Sequence, residues 1–305
     1  MPLRSAQLLS LLVSLFFAGP VAAQSAASAA QAPQRVQLRW KVPQGTPVGY
    51  EFIAQQVEPG TDTLRLDISV LKKSQLTPRQ RQSVYQLQIP SETAMAAVLS
   101  AKPSGDLDAK VVLTRMTMPK KKKRPSKEDR ELAKALEKNL WTVKVRANMT
   151  DWGFVTTDLK REQRNLVAIM FELPSKPVAV GDVWTHSADL VRMGTGWEGQ
   201  SESINRVELT ALERDAQGHT VAVIDFTLAE LQEGRFSDVR MPKPIPASME
   251  MSFVGRGEFL VDQGRWKRLA GRMTTRASGP MVTDMEQQLT LTPLDLIPPK
   301  VLTAQ

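Results

Sequence analysis

A mainly β protein of duplicated antiparallel sheets is the fold class that this 305-residue sequence predicts, and three observations carry the prediction. Most segments alternate apolar and polar residues with a period of two. The turns between several of them supply Gly where hairpins require a positive φ. The order of segments in the first half returns in the second. Such a pattern fits a large curved sheet or two half-barrels, with one short helix after a basic loop.

The chain begins with Arg4 as its only early charge, runs through the apolar stretch Leu8–Gly19 and reaches Val21-Ala22-Ala23. That is the pattern of a secretory signal peptide cleaved after Ala23. Its apolar core of about a dozen residues falls short of the roughly 20 that span a bilayer. Residues 24–34, QSAASAAQAPQ, are expected to form a disordered linker. The sequence contains no cysteine, so it offers no lipid-anchoring thiol and no disulfide, and its stability must come from a packed core. The expectation is an exported periplasmic protein, not lipid-anchored, with no transmembrane segment in the mature chain.

Two β-rich halves follow, at 35–172 and 173–297, with 298–305 as a tail. The alternating segments are LRLDISVL (64–71), AKVVLTRM (109–116) and WTVKVRANM (141–149) in the first half. In the second they are INRVELTALE (204–213), HTVAVIDFTL (219–228), EFLVD (258–262), GRMTTRAS (271–278) and EQQLTLTPL (286–294). Hairpin Gly residues stand at 105 and 153 in one half and at 218 and 264 in the other, 48 and 46 residues apart. Val48-Gly49 precedes the first set as Val180-Gly181 precedes the second, which points to an internal duplication. In each half Met-Pro-Lys lies in the connection between the two hairpins, at 118–120 and 241–243, so these connections could share a rim.

The formal charge of +8 suggests an anionic partner, but its location limits that reading. Residues 120–138 hold nine basic and four acidic side chains, so most of the surplus is local. Lys120, Lys121, Lys122, Lys123 and Arg124 form a basic loop within 119–140. After it, Leu132, Ala135, Leu136 and Leu140 fall on one helical face. The run imitates a nuclear import signal, which an exported protein does not use. It is expected to be a solvated loop, with contact to an anionic polymer or envelope partner as the alternative and no nucleic acid implied.

No motif for catalysis, cofactor or metal emerges. Gly194-Thr195-Gly196-Trp197-Glu198-Gly199 satisfies the dinucleotide fingerprint but leads into a strand instead of opening a helix. The two histidines, His186 and His219, lack metal-ligand spacing, and no nucleophile-elbow sequence occurs. Trp40, Trp141 and Trp184 are expected in the core, and Trp152 and Trp197 in loops.

The stretch ELPSKPVAVGDVW (172–184), with GEFLVDQGR (257–265), resembles a group of exported bacterial proteins that have duplicated β-rich halves and a domain of unknown function. The matching positions are Leu173, Pro174, Pro177, Val178, Gly181, Asp182 and Trp184. The resemblance implies a β-rich periplasmic fold and transfers no catalytic residue. The function expected is non-enzymatic: a sheet face that binds an apolar or amphipathic ligand such as lipid, or a structural envelope role. An envelope-assembly interaction module acting through the basic loops is the alternative, and a carboxylate-pair hydrolase a weaker third.

Overall fold

Segments that alternate pair into ladders wherever one face can be buried, and every ladder here is antiparallel. The computed structural model describes residues 34–57, 63–66, 85–119, 134, 136–191, 196–237, 241 and 243–304. Its strands are β1 (Val48–Gln56), β2 (Thr63–Leu66), β3 (Tyr85–Gln88), β4 (Glu92–Ala101), β5 (Leu107–Thr117), β6 (Val143–Met149), β7 (Val183–Trp184), β8 (Trp197–Arg214), β9 (Thr220–Phe236), β10 (Ile245–Leu260), β11 (Arg265–Ser278) and β12 (Met281–Pro293). Ten of them form one open sheet in the order β6-β5-β4-β1-β12-β11-β10-β9-β8-β7, and β2 pairs with both β12 and β3. Among the described residues no pairing joins β6 to β7, so the sheet does not close. Strands of both halves share it, which decides for one sheet over two half-barrels.

Within the sheet, β1-β4-β5-β6 and β7-β8-β9-β10 are two four-strand ladders, each in chain order apart from the β2–β3 excursion. The predicted helix after the basic loop is present at residues 134 and 136–139. The expectation of a single helix needs correction, because α1 (Arg161–Phe171) and α2 (Pro299–Thr303) are also formed. In α1 the polar REQRN is followed by an unbroken apolar run, and Val167 through Phe171 are all buried. That end is enclosed on all sides, so it shows no amphipathic period.

β4 was equally silent in the alternation, for a related reason. Its Ala97 and Leu99 join the main core on one face, while Ala96 and Val98 pack with Val301 of α2 on the other. A strand buried on both faces reads as a continuous apolar run. Lys300 lies 5.2 Å from the Trp141 ring centroid, over the same outer layer, so the segment read as a tail is part of the packing.

The main core lies between α1 and the sheet and is built around Trp40, Tyr50, Phe171, Phe226, Phe259 and Trp266. Trp40 meets Phe171 and Phe259 edge-on at 5.5 Å, and Phe259 meets Trp266 at 5.2 Å, the geometry aromatic pairs prefer. Strict alternation from Leu269 would turn Trp266 outward. A bulge opposite Glu258/Phe259 inserts one residue and turns it inward, while Lys267 and Arg268 face solvent. The last carbonyls of α1 are thereby satisfied: Trp40 Nε1 donates to Phe171 O at 2.7 Å and Trp266 Nε1 to Met170 O at 2.7 Å. Burial pushes the Tyr50 hydroxyl well above its usual range, and that hydroxyl accepts from Trp266 N at 3.2 Å.

The opposite face of β8–β12 is polar and cross-linked by charge. Arg256 pairs with Asp225 at 2.6 Å, Arg272 with Glu286 at 3.0 Å and Arg276 with Asp284 at 3.3 Å. No helix among the described residues is long and apolar enough to cross a membrane.

Gly153 tests the seat of α1. It has φ 83°, and a Cβ there would stand 1.9 Å from the Phe171 carbonyl oxygen. Gly105 has φ 90° with nothing within 4 Å of such a Cβ. In urea denaturation Gly105→Ala should cost about 1–2 kcal/mol, the left-handed penalty alone, and Gly153→Ala clearly more. Equal losses would contradict the close approach.

Candidate functional site

The strongest site is a cleft of about 410 Å³ between α1 and the sheet, within the usual range of about 300–1,000 Å³ for small-molecule sites. It arises because the second-half strands are long. β9 and β10 run 17 and 16 residues, whereas α1 has 11, or about 16 Å of rise. Near the C-terminus of α1 the inward side chains are aromatic and fill the space. Toward its N-terminus, Met249, Met251, Met273 and Met285 take over the same face, half-buried. Phe52, Ala54 and Leu289 form the β1–β12 wall, and Leu166, Ile169 and Leu190 form the roof.

Register places these methionines together. Met251 stands opposite Thr275, Thr275 opposite Met285, and Phe253 opposite Met273. Methionine is unbranched and polarizable, so a surface made of it adapts to guests of different shape. The polar groups of the lining are Arg161, Glu162, Asn165, Thr275 and Gln287. The Glu162 carboxylate lies below its ordinary range, held by its own backbone N–H at the helix start and by Arg161.

A strap over 185–191 closes one side and is tied down at four places. Asn205 accepts from His186 N and donates to its carbonyl, both at 2.7 Å. Ser187 N donates to both carboxylate oxygens of Glu172, at 3.1 and 3.2 Å, and its hydroxyl bonds the same group. Val191 N donates to Glu230 at 2.9 Å. Asn165 of α1 accepts from Asp189 N at 2.9 Å, joining helix to strap.

Side by side, His186, Glu172 and Ser187 look like a catalytic set but are not wired as one. The serine hydroxyl bonds the carboxylate, not the imidazole. Burial lowers the His186 pKa, against the opposing pull of Glu172, so the ring is neutral. Its 3.8 Å separation from the Glu172 carboxylate is therefore not an ion pair, and Nδ1 has no hydrogen-bond partner. The cluster fixes the strap.

Lys120, Lys121, Lys122, Lys123 and Arg124 and the cleavage position after Ala23 lie outside the described residues, as do Pro242 and residues 238–240 of the opposite connection. Gly199 of the glycine motif pairs with Gly234 inside the β8–β9 ladder, a strand setting. The Gly-Asp-x-Trp motif is a turn: Gly181 N donates to Leu209 O, and Asp182 accepts from Ala179 N and pairs with Arg35. Trp40 is in the core as expected, Trp141 and Trp184 are half-buried, and Trp152 stacks on Phe154 at 5.0 Å. His219 sits at the β8–β9 turn beside Asp215 at 3.2 Å. Among the described residues no three metal-ligating side chains converge.

Sequence reasoning missed α1 and the cleft with it. The available signal was four methionines at alternating strand positions, facing the register of Phe52 and Leu289. No family model and no curated protein matches the chain.

The neutral His186 sets a pH dependence. In the unfolded chain it protonates near 6.5, whereas in the folded chain it resists protonation. Its cost to stability is therefore absent at high pH and grows as pH falls below about 6.5. Stability should drop between pH 7 and 5 by at most about 1.4 kcal/mol per unit from this one proton. Glu258 and Asp262, with pKa values below their usual range, act only nearer pH 4. In thermal melts His186→Gln should flatten the slope between pH 7 and 5; an unchanged slope would reject the assignment.

Proposed function

We propose that this is an exported, non-enzymatic binding protein that holds an apolar or amphipathic small molecule in the cleft between α1 and the sheet. The observation that carries the reading is the lining itself. Four of the chain's thirteen methionines face one cavity, with Phe52, Leu166, Ile169 and Leu289. An apolar surface of that kind, held open instead of packed, gains by covering itself with an apolar guest at about 25 cal/mol per Å². The signal-like Leu8–Gly19 run supports export to the periplasm, where apolar and amphipathic molecules need carriers or sinks.

The test uses an apolar fluorescent dye such as N-phenyl-1-naphthylamine on protein stripped of co-purifying molecules. The wild type should bind it in the micromolar range. Ala54→Phe, which fills the β1 wall, should weaken binding roughly tenfold with little change in thermal midpoint. Equal binding by the two proteins would place the dye elsewhere and sink the proposal.

A second contact surface is favoured by the charge distribution. The run Lys120–Arg124 contributes five of the nine basic residues between 120 and 138. Replacing these five with serine should reduce retention on anionic vesicles at low salt, and the wild-type retention should fall steeply with added salt. Retention unaffected by the substitutions would reject the basic loop as a contact.

A further inference from the structure

Besides its apolar lining the cleft carries a polar end that leaves one charged donor without a partner. Arg161, the first residue of α1, lines it, yet the Arg161 Nη1 nitrogen is shut off from solvent and has no hydrogen-bond partner. A charged donor left unpaired in that way is costly. Its other terminal nitrogen, Nη2, pairs with Glu162 at 3.0 Å. That partner is 71% exposed, so the pair is screened and contributes little, and it leaves Nη1 untouched. Among the described residues, Arg161 and Glu162 are the only charged side chains of the lining.

We propose that the ligand of the cleft is a single-chain amphiphile with a carboxylate headgroup, and that Arg161 is the residue that receives it. This rests on the reading of the cleft as a binding site and adds the ligand class. The guanidinium fork matches a planar carboxylate, and a rotation of the Arg161 side chain, which is 25% exposed, brings Nη1 out to a charge-assisted bond that ends its orphaned state. The described part of the rim has one cation and a neighbouring acid, which suits a monoanion better than a doubly charged phosphate. The acyl chain then runs from Arg161 along Met251, Met273 and Met285, where methionines conform to a flexible chain. Glu162 competes for the same guanidinium, which makes it a restraint on headgroup affinity.

The experiment compares oleate with oleyl alcohol, which share a chain and differ in the headgroup, by displacement of the bound dye at low ionic strength. Wild type should favour oleate by about tenfold or more. Arg161→Gln should abolish that preference by lowering oleate binding to the level of oleyl alcohol, Arg161→Lys should retain part of it, and Glu162→Gln should strengthen oleate alone. Equal binding of the two amphiphiles to wild type, or a preference that survives in Arg161→Gln, overturns the headgroup assignment while leaving the cleft reading intact. Failure of both amphiphiles to displace the dye overturns the two readings together. The alcohol arm also shows that Arg161→Gln is folded.

Discussion

Two indole N–H groups hold the structure in register. The C-terminal carbonyls of a helix have no partner within the helix, and at the end of α1 they are driven into an apolar core where water cannot reach them. An unpaired carbonyl in such a place costs more than a hydrogen bond returns. Trp40, from the segment preceding β1, and Trp266, from β11, each donate to one of these carbonyls while stacking edge-on in the same aromatic cluster. The helix is short, and 11 residues are marginal in isolation. Its position therefore depends on this seat, on Gly153 beneath Phe171 and on the inward turn that the bulge gives Trp266.

Once the C-terminal end of α1 is fixed, the cleft follows from length. The strands β8 to β12 continue past the aromatic zone, and α1 carries its polar residues toward its start, so nothing aromatic descends to fill the methionine face. At the start of the helix, Gln163 Nε2 donates to Lys144 O on β6 at 2.7 Å, and Asn165 holds the strap over 185–191. The polar network of Glu172, His186, Ser187 and Asn205 is the other half of this arrangement. It pairs the buried polar groups beside the helix end, His186 Nδ1 excepted, and keeps the roof in place, which is why its resemblance to a catalytic set is misleading.

The β architecture was legible because its evidence is local. Alternation at 109–116, 204–213, 219–228 and 271–278 and the Gly turns at 105, 218 and 264 marked ladders that the structure contains. What escaped was whatever depends on two-sided burial. β4 lost its alternation because α2 covers its second face, and α1 lost its helical period because its last five residues are enclosed. WKRL at 266–269 hid a bulge, since its two inward residues are three apart. The sequence pointed to a sheet face that takes an apolar ligand only as an expectation without a location; the place of the cleft needed α1, which no periodicity announced. The basic run drew attention by composition, yet the residues that line the cavity are individually unremarked methionines whose convergence is a matter of register.

α1 is a fixed wall of the cleft, pinned by its C-terminal carbonyls, and not a mobile cover. Native-state amide hydrogen exchange measures this directly. The amides of residues 166–171 should exchange with the same protection as those of β9, β10 and β11, and Trp266→Phe should lower the helix protection ahead of that of the strands. Exchange of those helical amides through a low-energy local opening in the wild-type protein, while the strands remain protected, would contradict it.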